Sequence, residues 1–293
     1  MIQFSEIQQP APNIDLVTST RTELLNQIKS SNSVEDIRLA IQQWDQGRRE
    51  TDTWEALVQL RFRQDTTDEQ AKQAQDEMDQ LQPKLTELDI NIKRALVSHP
   101  LRTALEQETG AQLFALWEAE IPTFDPVIAD DMIRESGLKT KYTTLMASAK
   151  LEFDGDTLNH STITRYRENA DRNLRYGAEL VRWEWFDEHA EELDDLFDEL
   201  VALRHGMAQK LDFENYVDLG YQIMSRVDYD QHDVARYRDM VREEVTPLGQ
   251  QIRDLQATTL GIDKTMYWDE SVYRKAGNPL PSSDYDTMIG QAT

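Results

Sequence analysis

Apolar positions recur every three or four residues along most of the chain, which predicts a mainly α-helical fold. The first residues, with Pro10 and Pro12 close by, predict an extended arm, and a helix is expected over residues 14–30. The strongest periodicity follows over residues 37–62 and again over residues 71–95. Two long amphipathic helices joined by a short polar turn predict an antiparallel helical hairpin near the N-terminus.

Local signals indicate where these two long helices begin and where the second is disturbed. Ser33 with Asp36, and Thr67 with Gln70, resemble capping boxes, in which side chains satisfy the free N–H groups of a helix start. Pro83 lies inside the second helical pattern. Because proline has no N–H and its ring clashes with the preceding turn, it predicts a kink or a break near Leu81.

The remainder of the chain predicts shorter helices and one small β-hairpin. A helix is expected from Phe124 to Glu135, with Pro126 in its first turn. Residues 147–158 alternate around Asp154-Gly155, a pair typical of a tight hairpin turn. We therefore predict two regions: an arm and helical hairpin over 1–100, and a helical region over 101–293. The last dozen residues hold no closing element, so the second region is expected to be incomplete at its C-terminus.

Composition narrows the possible partners and the cellular location. The chain has 293 residues, 31 of them basic and 55 acidic, which gives a formal charge of −24. Such a surface repels nucleic-acid phosphates and anionic lipid headgroups, so neither nucleic acid nor membrane is an expected partner. There are no cysteines, which excludes disulfides and thiolate sites. No secretory signal or membrane-spanning run is visible, and a cytoplasmic location is the default expectation.

No catalytic or metal-binding motif is visible from residue types and spacing alone. The five histidines, none of them four residues from another, are His99, His160, His189, His205 and His232. His189-Ala190-Glu191-Glu192 begins like a metallopeptidase helix, but Leu193 stands where a second histidine is needed. A zinc site needs three or four converging ligands, so a solvated acidic helix face is the better interpretation of this stretch. The aromatic group at Trp183, Trp185 and Phe186 favours packing over ligand binding.

Residues 199–248 carry a more specific pattern, made of Lys210-Leu211-Asp212-Phe213, Asn215-Tyr216, Leu219-Gly220-Tyr221, Met224-Ser225-Arg226, Asp228-Tyr229, Asp233-Val234 and Pro247-Leu248. This pattern resembles the oligoendopeptidase F branch of the thimet-oligopeptidase family. Further similar residues are Tyr142, Ala147-Ser148-Ala149, Glu152-Phe153-Asp154-Gly155 and Gly277-Asn278-Pro279. The resemblance extends over the whole chain, as the N-terminal half of such an enzyme.

The resemblance implies a helical, cytosolic zinc endopeptidase that cleaves oligopeptides in a channel between two halves. In that family zinc is held by an H-E-x-x-H helix and a downstream Glu, and the Glu within the motif is the general base. This sequence contains no H-E-x-x-H. No catalytic or metal residue can therefore be assigned, and no zinc is expected on this segment. The resemblance implies one channel wall, with Tyr221, Arg226 and Tyr229 as the candidates to face peptide.

Two hypotheses about function follow. A third alternative is a purely structural helical protein whose likeness to the family is accidental. In the first, the chain is the N-terminal portion of a zinc oligopeptidase, needs a C-terminal catalytic half as its partner, and is inactive alone. In the second, it is a non-catalytic helical module that binds peptides or a partner protein. Surface that should pack against a missing half would promote self-association, whereas a monomeric chain would favour the second hypothesis.

Overall fold

The computed structural model describes residues 7–279 and 281–292 and is mainly α-helical, as the periodicity predicted. The first three helices are α1 (Ile14–Ser30), α2 (Val34–Gln64) and α3 (Glu69–Val97). They are followed by α4 (Arg102–Thr109), α5 (Ala111–Glu120) and α6 (Ala129–Ala147). After the strands β1 (Leu151–Phe153) and β2 (Asp156–Leu158) come α7 (Arg172–Glu188), α8 (Ala190–Lys210), α9 (Tyr216–Ile223), α10 (Gln231–Met240), α11 (Thr246–Leu260) and α12 (Tyr285–Ala292).

Side-chain hydrogen bonds determine where the first three helices start. The side chains of Asn13 and Ser33 accept hydrogen bonds from N–H groups in the first turns of α1 and α2. At the start of α3 the sequence-based prediction is off by one residue, because the cap is Asp68 and not Thr67. The Asp68 carboxylate accepts from Gln70 N at 2.8 Å and from Ala71 N at 3.1 Å, so it satisfies two free donors at once.

Helix α3 passes through Pro83 without interruption, so of the predicted kink or break the break is wrong, and the kink stays a prediction. Proline removes one backbone hydrogen bond, but Pro83 and the side chains on either side of it, Met78 and Leu85, are buried against neighbouring helices. Most helical stability in proteins comes from tertiary packing of this kind rather than from individual backbone bonds.

Helices α2 and α3 form the predicted antiparallel hairpin, and α1 packs against both of them. Trp44 of α2 donates a hydrogen bond to Asp89 of α3. Trp54 and Val58 lie further along α2, and they pack against Met78, which lies earlier in α3 than Asp89. The two helices therefore run in opposite directions. The main core lies where α1, α2 and α3 meet α4 and α5, and its fully buried members include Ile28, Ile37, Ile92, Leu96, Leu105 and Phe114.

The chain divides into two compact units by spatial contacts. The first comprises residues 1–144 and 193–233, and the second comprises residues 145–192 and 234–293. In the first unit, α6 and α8 are joined by ion pairs of Arg134 with Glu199, Arg204 with Glu135 and Lys210 with Asp131. The division predicted at residue 100 stays a prediction about domain organisation.

The second unit contains the predicted β-hairpin, in which Leu151 pairs with Leu158 and Phe153 with Asp156. Its turn, Asp154-Gly155, has φ angles of 52° and 84°, the left-handed conformation that a two-residue hairpin of this type requires. Phe153 packs edge-on against Tyr166, with ring centroids 4.9 Å apart. Tyr166 lies in a 3₁₀ helix over Thr162–Glu168.

A buried carboxylate holds α7 to the later part of the second unit. Asp269 is fully buried and accepts hydrogen bonds from Arg172 Nη2 at 2.8 Å and from Arg175 Nη2 at 2.6 Å. Met266 N donates to the same carboxylate at 3.0 Å. Burial alone would raise the pKa of Asp269, but these hydrogen bonds together hold that pKa below its ordinary value. A buried charge with this many donors stays ionised.

One predicted helix has different bounds in the structure. The helix expected from Phe124 starts instead with a 3₁₀ turn at Pro126–Ile128, capped by Asp125, before α6 begins at Ala129.

Between α10 and α11 lies a π-helical turn, Val241–Val245. In this turn Thr246 N donates a hydrogen bond to Val241 O, five residues earlier, which is the bond that defines a π turn. None of the described helices combines the length and the apolar character that crossing a membrane requires.

Candidate functional site

The three candidate residues from the sequence, Tyr221, Arg226 and Tyr229, lie together at the C-terminal end of α9. Helix α9 begins at Asn215, whose side chain accepts from Val217 N at 2.7 Å. It ends in a turn where Ser225 has a φ of 54° and Arg226 N donates to Tyr221 O at 3.1 Å. This is a Schellman-type ending, in which a left-handed residue allows the chain to reverse and satisfy the last carbonyls of the helix.

The turn brings the guanidinium of Arg226 against both tyrosine rings. The Arg226 Cζ atom lies 4.6 Å from the ring centroid of Tyr221 and 5.3 Å from that of Tyr229. Both distances are within the range of cation–π attraction. The side chain of Arg226 is partly buried and belongs to none of the ion pairs found within residues 7–279 and 281–292.

Ser225, the residue before Arg226, also lines a cavity of about 580 Å³ in the first unit. Helices α2, α3 and α5 form the remaining wall, and the volume is in the range of small-ligand sites. Two tryptophans contribute apolar surface, Trp44 and Trp117, whose ring centroids are 5.9 Å apart. The wall has two cationic side chains, Arg48 and Lys93. Its acidic side chains are more numerous: Asp45, Asp52, Glu55, Asp89 and Glu120.

A buried charge network supports one side of this cavity. Asp89 accepts from Trp44 Nε1 at 2.7 Å and pairs with Arg21 at 2.9 Å. Arg21 donates further to Leu85 O and to Thr51 Oγ1, both at 3.2 Å. Burial raises the pKa of Asp89 above its ordinary value, although the Arg21 charge and the Trp44 N–H act in the opposite direction. The network therefore ties α1, α2 and α3 together at the cavity.

Glu55 is the carboxylate of the cavity wall that has no direct partner among the described residues. Burial, with the nearby charges of Asp52 and Asp89, raises its pKa to about 7, and Arg21 only partly offsets this. Near neutral pH the side chain is therefore divided between a charged and an uncharged form.

Sequence reasoning missed this network, although a signal was present. Arg21 and Asp89 occur in phase with the apolar positions of their helices, three residues before Leu24 and four after Leu85. A charged residue at an apolar position is expected to be buried and paired. Glu55 gave no comparable signal, because its surroundings come from three separate helices.

The histidine that resembled a metallopeptidase ligand has a structural role. His189 follows the last turn of α7, its Nδ1 lies 2.8 Å from Trp185 O, and its ring stacks on Trp185 with a centroid distance of 4.1 Å. Trp183, Trp185 and Phe186 form one aromatic cluster with His160, consistent with the packing interpretation.

Comparisons with known proteins agree with this architecture. The sequence profile of the Peptidase M3 N-terminal domain matches residues 4–124. A structure described as PZ peptidase A with inhibitor 2 is 36% identical, with a TM-score of 0.95 over 99% of this chain and 52% of its own. A putative oligoendopeptidase F is also 36% identical, with a TM-score of 0.95 over 100% of this chain and 52% of its own.

A putative oligoendopeptidase F from Bacillus anthracis str. Ames is 32% identical, with a TM-score of 0.92 over 99% of this chain and 53% of its own. This chain belongs to the M3 peptidase family, as the N-terminal half of an oligoendopeptidase F. It spans about half the length of the solved structures that it matches. The search among curated proteins gave no match.

The residues of this oligoendopeptidase F half do not fit the zinc site that M3 peptidases require. Within residues 7–279 and 281–292, no three His, Asp or Glu side chains are arranged to hold a metal ion. The 293-residue sequence also has no H-E-x-x-H motif. What the half provides is a helical framework, an acidic cavity and the Arg226–tyrosine cluster.

Proposed function

We propose that this chain is the N-terminal portion of a zinc-dependent oligopeptidase that hydrolyses short peptides. The observation that carries the proposal is the match to oligoendopeptidase F structures over nearly the entire chain, at 32–36% identity. The zinc ligands and the general base are supplied by a C-terminal catalytic half, since no group of His, Asp or Glu side chains within residues 7–279 and 281–292 could hold a metal ion.

In this proposal the chain contributes one wall of the substrate channel. Tyr221, Arg226 and Tyr229 form part of that wall, because together they present aromatic rings and a cation at the end of α9. Oligopeptides offer both apolar side chains and charged ends, which such a surface can contact. The proposed location is the cytoplasm, in keeping with a chain that has no cysteine to form disulfides.

The surface of the second unit supports a partner half. Large apolar side chains follow one another along α10, the π turn and α11, and all are at least half exposed: Tyr237, Met240, Val245, Leu248, Ile252 and Leu255. We refer to these six residues as the α10–α11 stripe. A contiguous apolar surface of this kind is typical of an interface with another folded part. We propose that the catalytic half covers the stripe.

The proposal is tested with an internally quenched oligopeptide and a zinc assay. The 293-residue chain, purified alone, is expected to leave the peptide uncut and to bind far less than one zinc ion per molecule. The native protein, translated from its full reading frame, is expected to cleave the peptide, to lose activity with a chelator and to regain it with zinc.

Chelator-sensitive cleavage by the 293-residue chain alone would overturn the assignment of the zinc site to another half. Absence of any peptide hydrolysis by the native protein would overturn the peptidase itself, and would favour the non-catalytic module that binds peptides or a partner protein.

A further inference from the structure

The guanidinium of Arg226 lies near two tyrosine rings and makes no hydrogen bond to another described residue. Contact with an aromatic face leaves the N–H groups of a guanidinium available to other acceptors. The Arg226 Cζ atom is 4.6 Å from the ring centroid of Tyr221 and 5.3 Å from that of Tyr229. Its backbone is held by the hydrogen bond to Tyr221 O. Little side-chain freedom is therefore left to lose when a ligand binds.

The acidic side chains near Arg226 in sequence are engaged elsewhere or form no ion pair with it. Asp218 accepts from Asn215 Nδ2 at 3.3 Å and from Gln231 Nε2 at 3.5 Å. Asp230 accepts from the N–H groups of His232 and Asp233 at 2.8 and 3.0 Å, which caps the start of α10. Asp228 is exposed and lies in no ion pair among the described residues.

Arg226 has no carboxylate partner among the described residues, although acidic residues of the chain outnumber basic ones by 55 to 31. Partial burial weakens the screening of its charge by water, so an incoming anion would interact more strongly than at an open surface. The planar fork of arginine matches the two oxygens of a carboxylate, which it binds through two parallel hydrogen bonds.

We propose that Arg226 binds a carboxylate group of the peptide substrate, with Tyr221 and Tyr229 holding the guanidinium in place. Arg226 is thus a residue that determines specificity, and it takes no part in bond cleavage. This inference rests on the proposed function, because it takes the ligand to be an oligopeptide. The carboxylate is either the C-terminus of the peptide or an Asp or Glu side chain.

Isothermal titration of the native protein with matched peptides separates these sources. The peptides share one sequence and end in a free acid, in an amide, or in an amide with a Glu introduced next to it. If the C-terminus is bound, the free acid should bind about tenfold more tightly than both amides. If a side chain is bound, the Glu-containing amide should bind about tenfold more tightly than the free acid and the plain amide, which should bind equally.

Variants of Arg226 test the residue itself. Arg226→Met keeps the aliphatic stem and is expected to remove the acid-over-amide preference, while Arg226→Lys keeps the charge and should retain part of it. In cleavage assays Arg226→Met should raise KM for the preferred peptide about tenfold more than KM for the plain amide, and should change kcat less than KM. The matched control, Arg238→Met, removes an exposed arginine of α10 that also forms no ion pair among the described residues.

Equal binding of acid and amides by the native protein, or equal losses for all peptides in Arg226→Met, would overturn the inference. Cleavage without any carboxylate preference would leave the peptidase proposal standing and remove only this one. Conversely, a carboxylate preference in titrations without any hydrolysis would retain the inference as a binding property and overturn the proposed peptidase. Thermal melting of each variant verifies that the fold is intact.

Discussion

At the scale of single residues, the charges of the first unit differ in how completely they are paired. Asp89 is held by Arg21 and Trp44, so its charge is compensated inside the protein. Glu55 lines the same cavity and has no direct partner in the part of the chain that the structure describes. The difference in environment, more than the chemical type of the side chain, determines which carboxylate makes stability depend on pH near neutrality.

The raised pKa of Glu55, about 7, predicts a specific pH dependence. Between its ordinary value of 4.5 and about 7, the folded protein binds more protons than the unfolded chain, so stability falls as pH rises through this window. Glu55→Gln removes the titrating charge. We expect equal stability of variant and parent at pH 4.5, and at pH 8 a free energy of unfolding larger in the variant by on the order of 1 kcal/mol, because cavity water screens part of the effect.

Urea unfolding at the two pH values measures this difference. Glu50→Gln, at an exposed position of the same helix, is the matched control and should change the free energy of unfolding by no more than a few tenths of a kcal/mol at either pH. A variant Glu55→Gln that is equally destabilised at both pH values would show that Glu55 acts through packing rather than through its charge.

At the scale of elements, local sequence was a good guide wherever a short-range signal decides the conformation. The hairpin turn at Asp154-Gly155 and the start of α2 at Ser33 were both predicted and confirmed. Pro83 was misleading because its local effect is small against the packing of a helix that is buried on both sides of it. No sequence pattern indicated the π turn before Pro247.

The hairpin turn allows a direct test of its local basis. Gly155 has a φ of 84°, and a Cβ atom placed there would meet nothing within 4 Å. Gly155→Ala is therefore expected to lower the free energy of unfolding by about 1 kcal/mol through backbone strain alone. Urea unfolding followed by circular dichroism measures the change.

Gly249, inside α11 in the same unit, is the matched control, because its Cβ would also meet nothing within 4 Å but its φ is helical. Gly249→Ala should raise the free energy of unfolding by about 0.5–1 kcal/mol. If both variants changed stability in the same direction, conformation at Gly155 would not be the deciding factor.

At the scale of the whole molecule, the α10–α11 stripe has a consequence for behaviour in solution. A 293-residue chain that exposes Leu255 to 67% and Leu248 and Ile252 to 55% each presents apolar surface that another copy can cover. We expect the chain purified alone to self-associate as its concentration rises, and the double variant Leu248→Glu, Leu255→Glu to sediment as a monomer.

Sedimentation velocity over a range of concentrations measures the effect. Leu39→Glu is the control, since Leu39 is exposed to 42% on α2 and is not part of the stripe. It should leave self-association unchanged. A parent chain that remains monomeric at every concentration would contradict the interface and would favour a stand-alone module.

The sequence by itself determined the fold class of this protein, the starts of its first two helices and the turn of its β-hairpin. Helical periodicity, capping residues and the Asp-Gly turn act over a few residues, so they can be recognised without knowing the fold. The similarity of residues 199–248 indicated the family, and the comparisons confirmed it. Tyr221, Arg226 and Tyr229 were also singled out from sequence, although their role stays a prediction.

Only the tertiary structure decided the surroundings of Glu55 and of Arg226. The cavity that contains Glu55 is formed by three helices, and its electrostatics depend on Asp52 and Asp89 arriving there from different parts of the chain. The contact of Arg226 with two tyrosines depends on a left-handed turn at Ser225, a conformation that serine rarely adopts. Long-range packing selects such features, and a single sequence carries no local signal for them.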